Sequence, residues 1–254
     1  MTEMRWLAAL MVAVSTLTLQ AQTRPYYGSW VVNSAKSDLK GVTATYKDIG
    51  NNRIEISGMG QKDVWVVGRD GKDYPWFGGL TTTWRDLAPN TWECAYKRDG
   101  QIISTFVSTV SADGSSIAAA VTNVMPDGST SQTTSTMMRV SGGPGPFGTF
   151  RIAEFAGGFT LEEAGGGVLY RWTGLAEARC QFDGKDCPLT GAVPRGASMT
   201  LRELGPRSFE YGEKTNGAVN FISRLTLSDD GQTLNEQQTM ATGEKAHIVY
   251  DRRR

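Results

Sequence analysis

Two four-residue blocks hold the densest acid–base potential in the chain: Asp70-Gly71-Lys72-Asp73 and Asp183-Gly184-Lys185-Asp186. Paired carboxylates at this spacing could act as general acid and base, or ligate a cation. The same residues also make a tight turn, because Asp and Gly accept its backbone angles while Lys keeps the tip soluble. The turn is the stronger reading, since a turn that sets strand register is expected to recur intact. Neither Asp127-Gly128 nor Asp230-Gly231 has the D-x-D run and closing Glu of a calcium loop. His247 is the single histidine and has no nucleophile signature around it, which disfavours Ser-His and Cys-His hydrolases. No metal-ligand set and no cofactor motif is evident.

The three cysteines read differently from one another. Cys180 and Cys187 straddle the Asp183-Gly184 turn. If that turn is a two-residue hairpin loop, the two thiols face each other across neighbouring strands. An oxidising compartment would then join them as a disulfide. Cys94 is left over, expected as a buried thiol behaving like a small hydrophobe.

Tryptophan supplies the one asymmetric signal. Beyond Trp6 there are six, of which Trp30, Trp65, Trp76, Trp84 and Trp92 precede residue 140 and only Trp172 follows it. Large rigid aromatics give contact area at low entropic cost. A small-molecule site is therefore expected near Trp65, Trp76, Trp92 and Tyr96, for a small apolar or sugar-like ligand. Alternation puts Trp92 and Tyr96 on one strand face; Trp65 and Trp76 need turn geometry to join them.

The elements that must position these residues are strands. Asp-Gly or Asn-Gly pairs fall at 70–71, 99–100, 113–114, 127–128, 183–184, 216–217 and 230–231, and such pairs supply the positive φ of hairpin turns. Between them residues alternate: Trp92, Cys94 and Tyr96 share a face opposite Glu93 and Lys97, as Phe209 and Tyr211 do opposite Glu210 and Lys214. One buried face and one wet face mean antiparallel sheet. Long strands in up-and-down order are expected to close into barrels, which removes their edges.

The pattern occurs twice. Asp70–Pro75 recurs at Asp183–Pro188, Trp92–Gly100 at Phe209–Gly217, Val110–Gly114 at Leu227–Gly231, and Tyr27–Trp30 at Phe147–Phe150, with offsets of 113, 117, 117 and 120. The expected organisation is a barrel over 27–140, a Gly/Pro linker over 141–146, and a second barrel over 147–254. The linker's G-x-G-x-x-G (Gly143–Gly148) lacks the strand and helix a dinucleotide site needs, and two prolines interrupt it.

Composition narrows function by exclusion. The 26 Lys+Arg and 26 Asp+Glu cancel across 254 residues, so the basic clustering expected of a nucleic-acid partner is lacking. Residues 1–21 have the layout of a signal peptide, with Arg5, an apolar run from Trp6 to Leu19 and a Leu19-Gln-Ala21 cleavage site. That run is too short to span a bilayer. The expected location is secreted or periplasmic, without membrane attachment after cleavage.

Gly28-Ser29-Trp30 with Arg139 resembles the lipocalin (calycin) pattern, a G-x-W on the first strand whose Trp packs against an Arg from the last. Gly148-Thr149-Phe150 with Arg252 repeats it with Phe for Trp. The chain is also similar to uncharacterised secreted bacterial proteins that begin G-x-W-x-x-N-x-x-K-S and carry D-G-K-D-Y-P. Here those positions are Gly28, Trp30, Asn33, Lys36, Ser37 and Asp70–Pro75. The resemblance implies lipocalin-like barrels in which Arg139 lies against Trp30 and Arg252 near Phe150. The resulting expectation is an all-β protein of two tandem antiparallel up-and-down barrels with a binding or structural role rather than a catalytic one. The alternatives are an exported enzyme using barrel-lining acids and tyrosines, such as Tyr96 and Tyr211, and an interaction module using the groove between barrels.

Overall fold

The structure is a computed structural model describing residues 24–125 and 127–253; the expected leader at 1–21 lies outside the described residues. Among the described residues twenty strands follow one another with almost no helix. They are β1 (Gly28–Val32), β2 (Thr43–Asp48), β3 (Arg53–Gly58), β4 (Gln61–Gly68), β5 (Tyr74–Pro75), β6 (Thr81–Ala88), β7 (Thr91–Arg98), β8 (Gln101–Val110), β9 (Ser116–Val124), β10 (Thr130–Ser141), β11 (Gly148–Phe155), β12 (Gly158–Ala164), β13 (Gly167–Trp172), β14 (Ala176–Cys180), β15 (Asp183–Gly191), β16 (Ala197–Gly205), β17 (Ser208–Thr215), β18 (Ala218–Leu227), β19 (Thr233–Met240) and β20 (Lys245–Arg252). Every ladder is antiparallel, and the strands form two ten-stranded sheets. One is a closed barrel, and the other runs β4-β3-β2-β11-β10-β9-β8-β7-β6-β5 and is nearly closed. The all-β, up-and-down barrel architecture expected from turn spacing and alternation is the one observed.

The sheets depart from the linear division at one strand each. β1 closes the barrel made by β12–β20, lying between β12 and β20, while β11 sits between β2 and β10 in the other sheet. The first strands of the two halves are exchanged. The reason is local. The segment expected as a linker is the loop of the β10–β11 hairpin, and so short a connection delivers the chain to the neighbouring strand. That strand then stays with the first sheet, and β1 fills the position left beside β12 and β20.

This exchange corrects the expected aromatic pairing. Arg139 does not lie against Trp30, nor Arg252 near Phe150. The Arg252 guanidinium sits 4.2 Å from the Trp30 ring centroid, and Arg139 sits 4.4 Å from that of Phe150. Each pair is adjacent in its ladder, Trp30 opposite Arg252 and Phe150 opposite Arg139. The two closures are built alike. Arg252 donates to the carbonyls of Gly231, Tyr27 and Pro25, and Arg139 to those of Gly114, Phe147 and Gly145. The glycines of the two motifs make room for these clamps. Gly28 and Gly148 have φ of +127° and +137°, and a Cβ on either would meet the arginine Nη1 at 3.0 or 2.8 Å.

The nearly closed sheet has its gap between β4 and β5, where no ladder forms. In the closed barrel β14 pairs with β15, and a Cys180–Cys187 disulfide joins them, with Cα atoms 5.4 Å apart. Across the gap of the other sheet the Trp65 and Trp76 rings touch instead, their centroids 4.7 Å apart.

Candidate functional site

Inward-facing side chains alternate along each strand, so every strand contributes every second residue to an interior. In the nearly closed sheet β7 presents Trp92, Cys94 and Tyr96, β8 presents Ser104, Phe106 and Ser108, and β9 presents Ala119, Val121 and Asn123. These enclose a cavity of about 570 Å³. Its wall is mainly aliphatic and aromatic, with neutral Ser, Thr, Asn and Tyr side chains between, and among the described residues no Asp, Glu, Lys, Arg or His lines it. Such a volume and lining are typical of a small-molecule pocket.

Of the four residues singled out from sequence, Trp76, Trp92 and Tyr96 line this cavity. Trp65 does not; it packs on the far side of Trp76, which in turn stacks on Tyr96 at 5.5 Å. Trp92 stacks on Trp84 with centroids 5.0 Å apart and planes 3° from parallel. The wall residue that strand parity alone could not single out is Tyr46. It arrives on β2, between Trp30 and Trp65 in sequence, and its ring meets those of Trp84 and Phe150 edge-on.

The closed barrel roofs the cavity. Its β13–β14 hairpin and the segment after β15 bring Trp172, Leu175, Ala192 and Pro194 over the opening. Polar contacts hold them there. The Asn123 amide donates to the Gly174 carbonyl at 3.0 Å, and Arg98 donates to the carbonyls of Gly191 at 3.0 Å and Val193 at 2.8 Å. Ser104 donates to the Asn123 side-chain oxygen at 2.7 Å, which fixes the amide orientation.

The interior of the closed barrel holds a large cluster of buried side chains, among them Tyr170, Met199, Phe209 and Tyr211. At its centre lies Glu236, fully buried, whose carboxylate accepts hydrogen bonds from Tyr211 at 3.0 Å, Ser223 at 2.5 Å and Tyr250 at 2.6 Å. Burial pushes the Glu236 carboxyl above its ordinary range, and the hydroxyl donors oppose that in part. At the same offset of 117, the other sheet has Ala119 for Glu236 and Cys94 for Tyr211. Two large interior side chains become small ones. That difference helps leave room in one interior and take it up in the other.

The Asp70–Asp73 block forms the irregular bend before β5, whereas the Asp183–Asp186 block, also expected as a turn, opens β15 at a β-bulge. Asp70 accepts the Lys72 amide at 3.1 Å and Asp183 accepts the Lys185 amide at 3.0 Å, and these amide bonds hold both carboxyls below their ordinary range. The second carboxylate of each block is bonded across the sheet, Asp73 to Lys97 and Asp186 to Lys214, both at 2.6 Å. His247 belongs to β20 and makes a backbone bridge with Asp38. Gly143 to Gly148 run through the β10–β11 loop into β11, with no helix after them. Cys94 is the free thiol, and burial raises its proton affinity, which makes it a poor nucleophile. Among the described residues no group of three or more His, Cys, Asp or Glu side chains could hold a metal ion.

No family model, curated protein or solved structure matches the chain.

Proposed function

We propose that this chain is an exported, non-catalytic binding protein that carries a small, neutral, apolar molecule inside its nearly closed sheet. The observation that supports this reading is the uncharged cavity of about 570 Å³ walled by Trp76, Trp92, Tyr96 and Tyr46. A carboxylate or ammonium ligand would lose its hydration there and find no opposite charge, at a cost of several kcal/mol or more. Most of the wall surface open to the cavity is apolar, which favours an apolar body over a sugar. Aromatic faces suit a flat apolar body.

Each arginine clamp beneath an aromatic ring supports the lipocalin-like reading, as does the sheet order. The four sequence blocks in matching order support an ancestral duplication. In that history one half kept a hollow interior while the other filled its own with Glu236 and Tyr211 and took on the role of scaffold and roof. Secretion is read from residues 1–21 alone.

The deciding experiment is native mass spectrometry of the protein purified from its own host. A retained small molecule of neutral, apolar character is the expected result, and its displacement should change tryptophan fluorescence. Protein that carries no such molecule and takes up no apolar probe would defeat the reading.

A further inference from the structure

The cavity wall contains polar groups that the protein itself leaves unused. Tyr46 and Tyr96 both reach the interior, and the Trp76 side chain is placed to donate to the Tyr96 oxygen, which leaves the Tyr96 proton free to be donated. These hydroxyls are not sealed in. The sealed side-chain atoms without a partner are Thr160 Oγ1, Tyr170 Oη and two nitrogens of Arg207, and neither cavity tyrosine is among them. Both rings lie deep in the sheet, where burial raises both phenols' proton affinity, yet both keep accessible surface. That surface belongs to the cavity. The Trp76 side chain approaches Tyr96 and slightly favours its ionised form, without offsetting the effect of burial. Cys94, a neutral thiol two residues before Tyr96 on β7, lines the same cavity. Tyr46 on β2 and Cys94 and Tyr96 on β7 are thus neutral donors of one cavity wall, which also carries serines and threonines from β6, β8 and β10.

A buried hydroxyl with no acceptor forfeits a hydrogen bond that water would have satisfied. Such groups in a pocket are the few placed polar atoms that orient a ligand. Both phenols stay protonated at any physiological pH, so each offers a proton and neither offers a charge. Flat rings of Trp76, Tyr96, Trp84 and Trp92 flank the same space.

We propose that Tyr46 and Tyr96 form a hydrogen-bonding anchor for the carbonyl oxygen of a flat, neutral ketone or quinone bound in this cavity. The inference rests on the binding reading above and adds the chemical class of the ligand. The phenols donate to the carbonyl lone pairs, and the ring system of the ligand lies against the tryptophans. No covalent step is involved.

The test compares probes of one shape. Full-length protein is titrated calorimetrically with 9-fluorenone, with fluorene, which replaces the carbonyl by a methylene, and with fluorene-9-carboxylate. Fluorenone should bind roughly 3- to 10-fold tighter than fluorene, the range expected for one or two net hydrogen bonds. In Tyr46→Phe and Tyr96→Phe, which keep the rings, that advantage should shrink while fluorene affinity stays unchanged. Two variants guard against a folding defect in one, and unchanged fluorene binding reports an intact cavity. Equal binding of fluorenone and fluorene would overturn the anchor while leaving an apolar site in place. Preference for the carboxylate would overturn the neutral class as well. No binding of any probe would count against both the anchor and the binding role.

Discussion

Glu236 shows how one side chain can decide what an interior does. It is a fully buried acid among Tyr211, Ser223, Tyr250 and Gln238, and its proton affinity is raised by burial above all. The folded chain therefore keeps this proton at a pH where the unfolded chain has released it. Its contribution is complete below the ordinary carboxyl range and is lost as pH rises from there through the raised value. Glu213 shifts in the same direction and for the same first cause, so the wild-type profile carries both. Replacing Glu236 with Gln removes one share. Chemical denaturation between pH 4 and 8 should show wild-type stability falling relative to Glu236→Gln, by up to about 1.4 kcal/mol per pH unit within the window. Parallel profiles would mean that the hydroxyl donors hold the carboxylate ionised in both states.

The strand exchange governs behaviour at the level of elements. Trp30 belongs by sequence to the first half but is buried against Phe159 and Arg252 in the closed barrel. Phe150 belongs to the second half but is buried opposite Ala44 and Arg139. Removing either ring from its core should cost about 3–5 kcal/mol. Hydrogen exchange should locate that cost. Trp30→Ala should deprotect β12 and β20, with β2 and β10 little affected, and Phe150→Ala should do the reverse. Loss of protection in β2 and β10 from Trp30→Ala would contradict the exchanged topology. Because each sheet borrows a strand from the other half, the two should also unfold in one transition.

The whole molecule is a hollow sheet capped by a closed barrel. The cavity has room for larger side chains, unlike a filled core in which added bulk forces strain. Ala119→Phe places a ring where the closed barrel carries Glu236, so it should abolish binding of apolar probes without lowering the melting temperature. The check pairs a thermal melt with a fluorenone titration. A strongly destabilised variant would mean the interior is packed rather than open. Unchanged binding would put the ligand away from Ala119, at the end of the cavity under Trp172 and Pro194.

Much of this molecule can be read from residue order, because the governing forces are local. Asp-Gly and Asn-Gly pairs select tight turns, and alternation of apolar and polar residues selects antiparallel strands with one buried face. Those two rules lead to an all-β architecture, and the parity of Trp92, Cys94 and Tyr96 puts all three on one wall. The cysteine spacing across a turn anticipates the Cys180–Cys187 bond. What residue order could not settle is which strand closes which sheet. Trp30 with Arg139 and Trp30 with Arg252 satisfy the same motif, and only the short β10–β11 loop in three dimensions selects the second. The cavity is also a tertiary outcome. Tyr46 becomes part of its wall because β2 and β7 contribute to the same interior, and the space exists because Ala119 and Cys94 are small where Glu236 and Tyr211 are large. Volume depends on side chains that meet across many strands, and it can be counted only after the chain has folded.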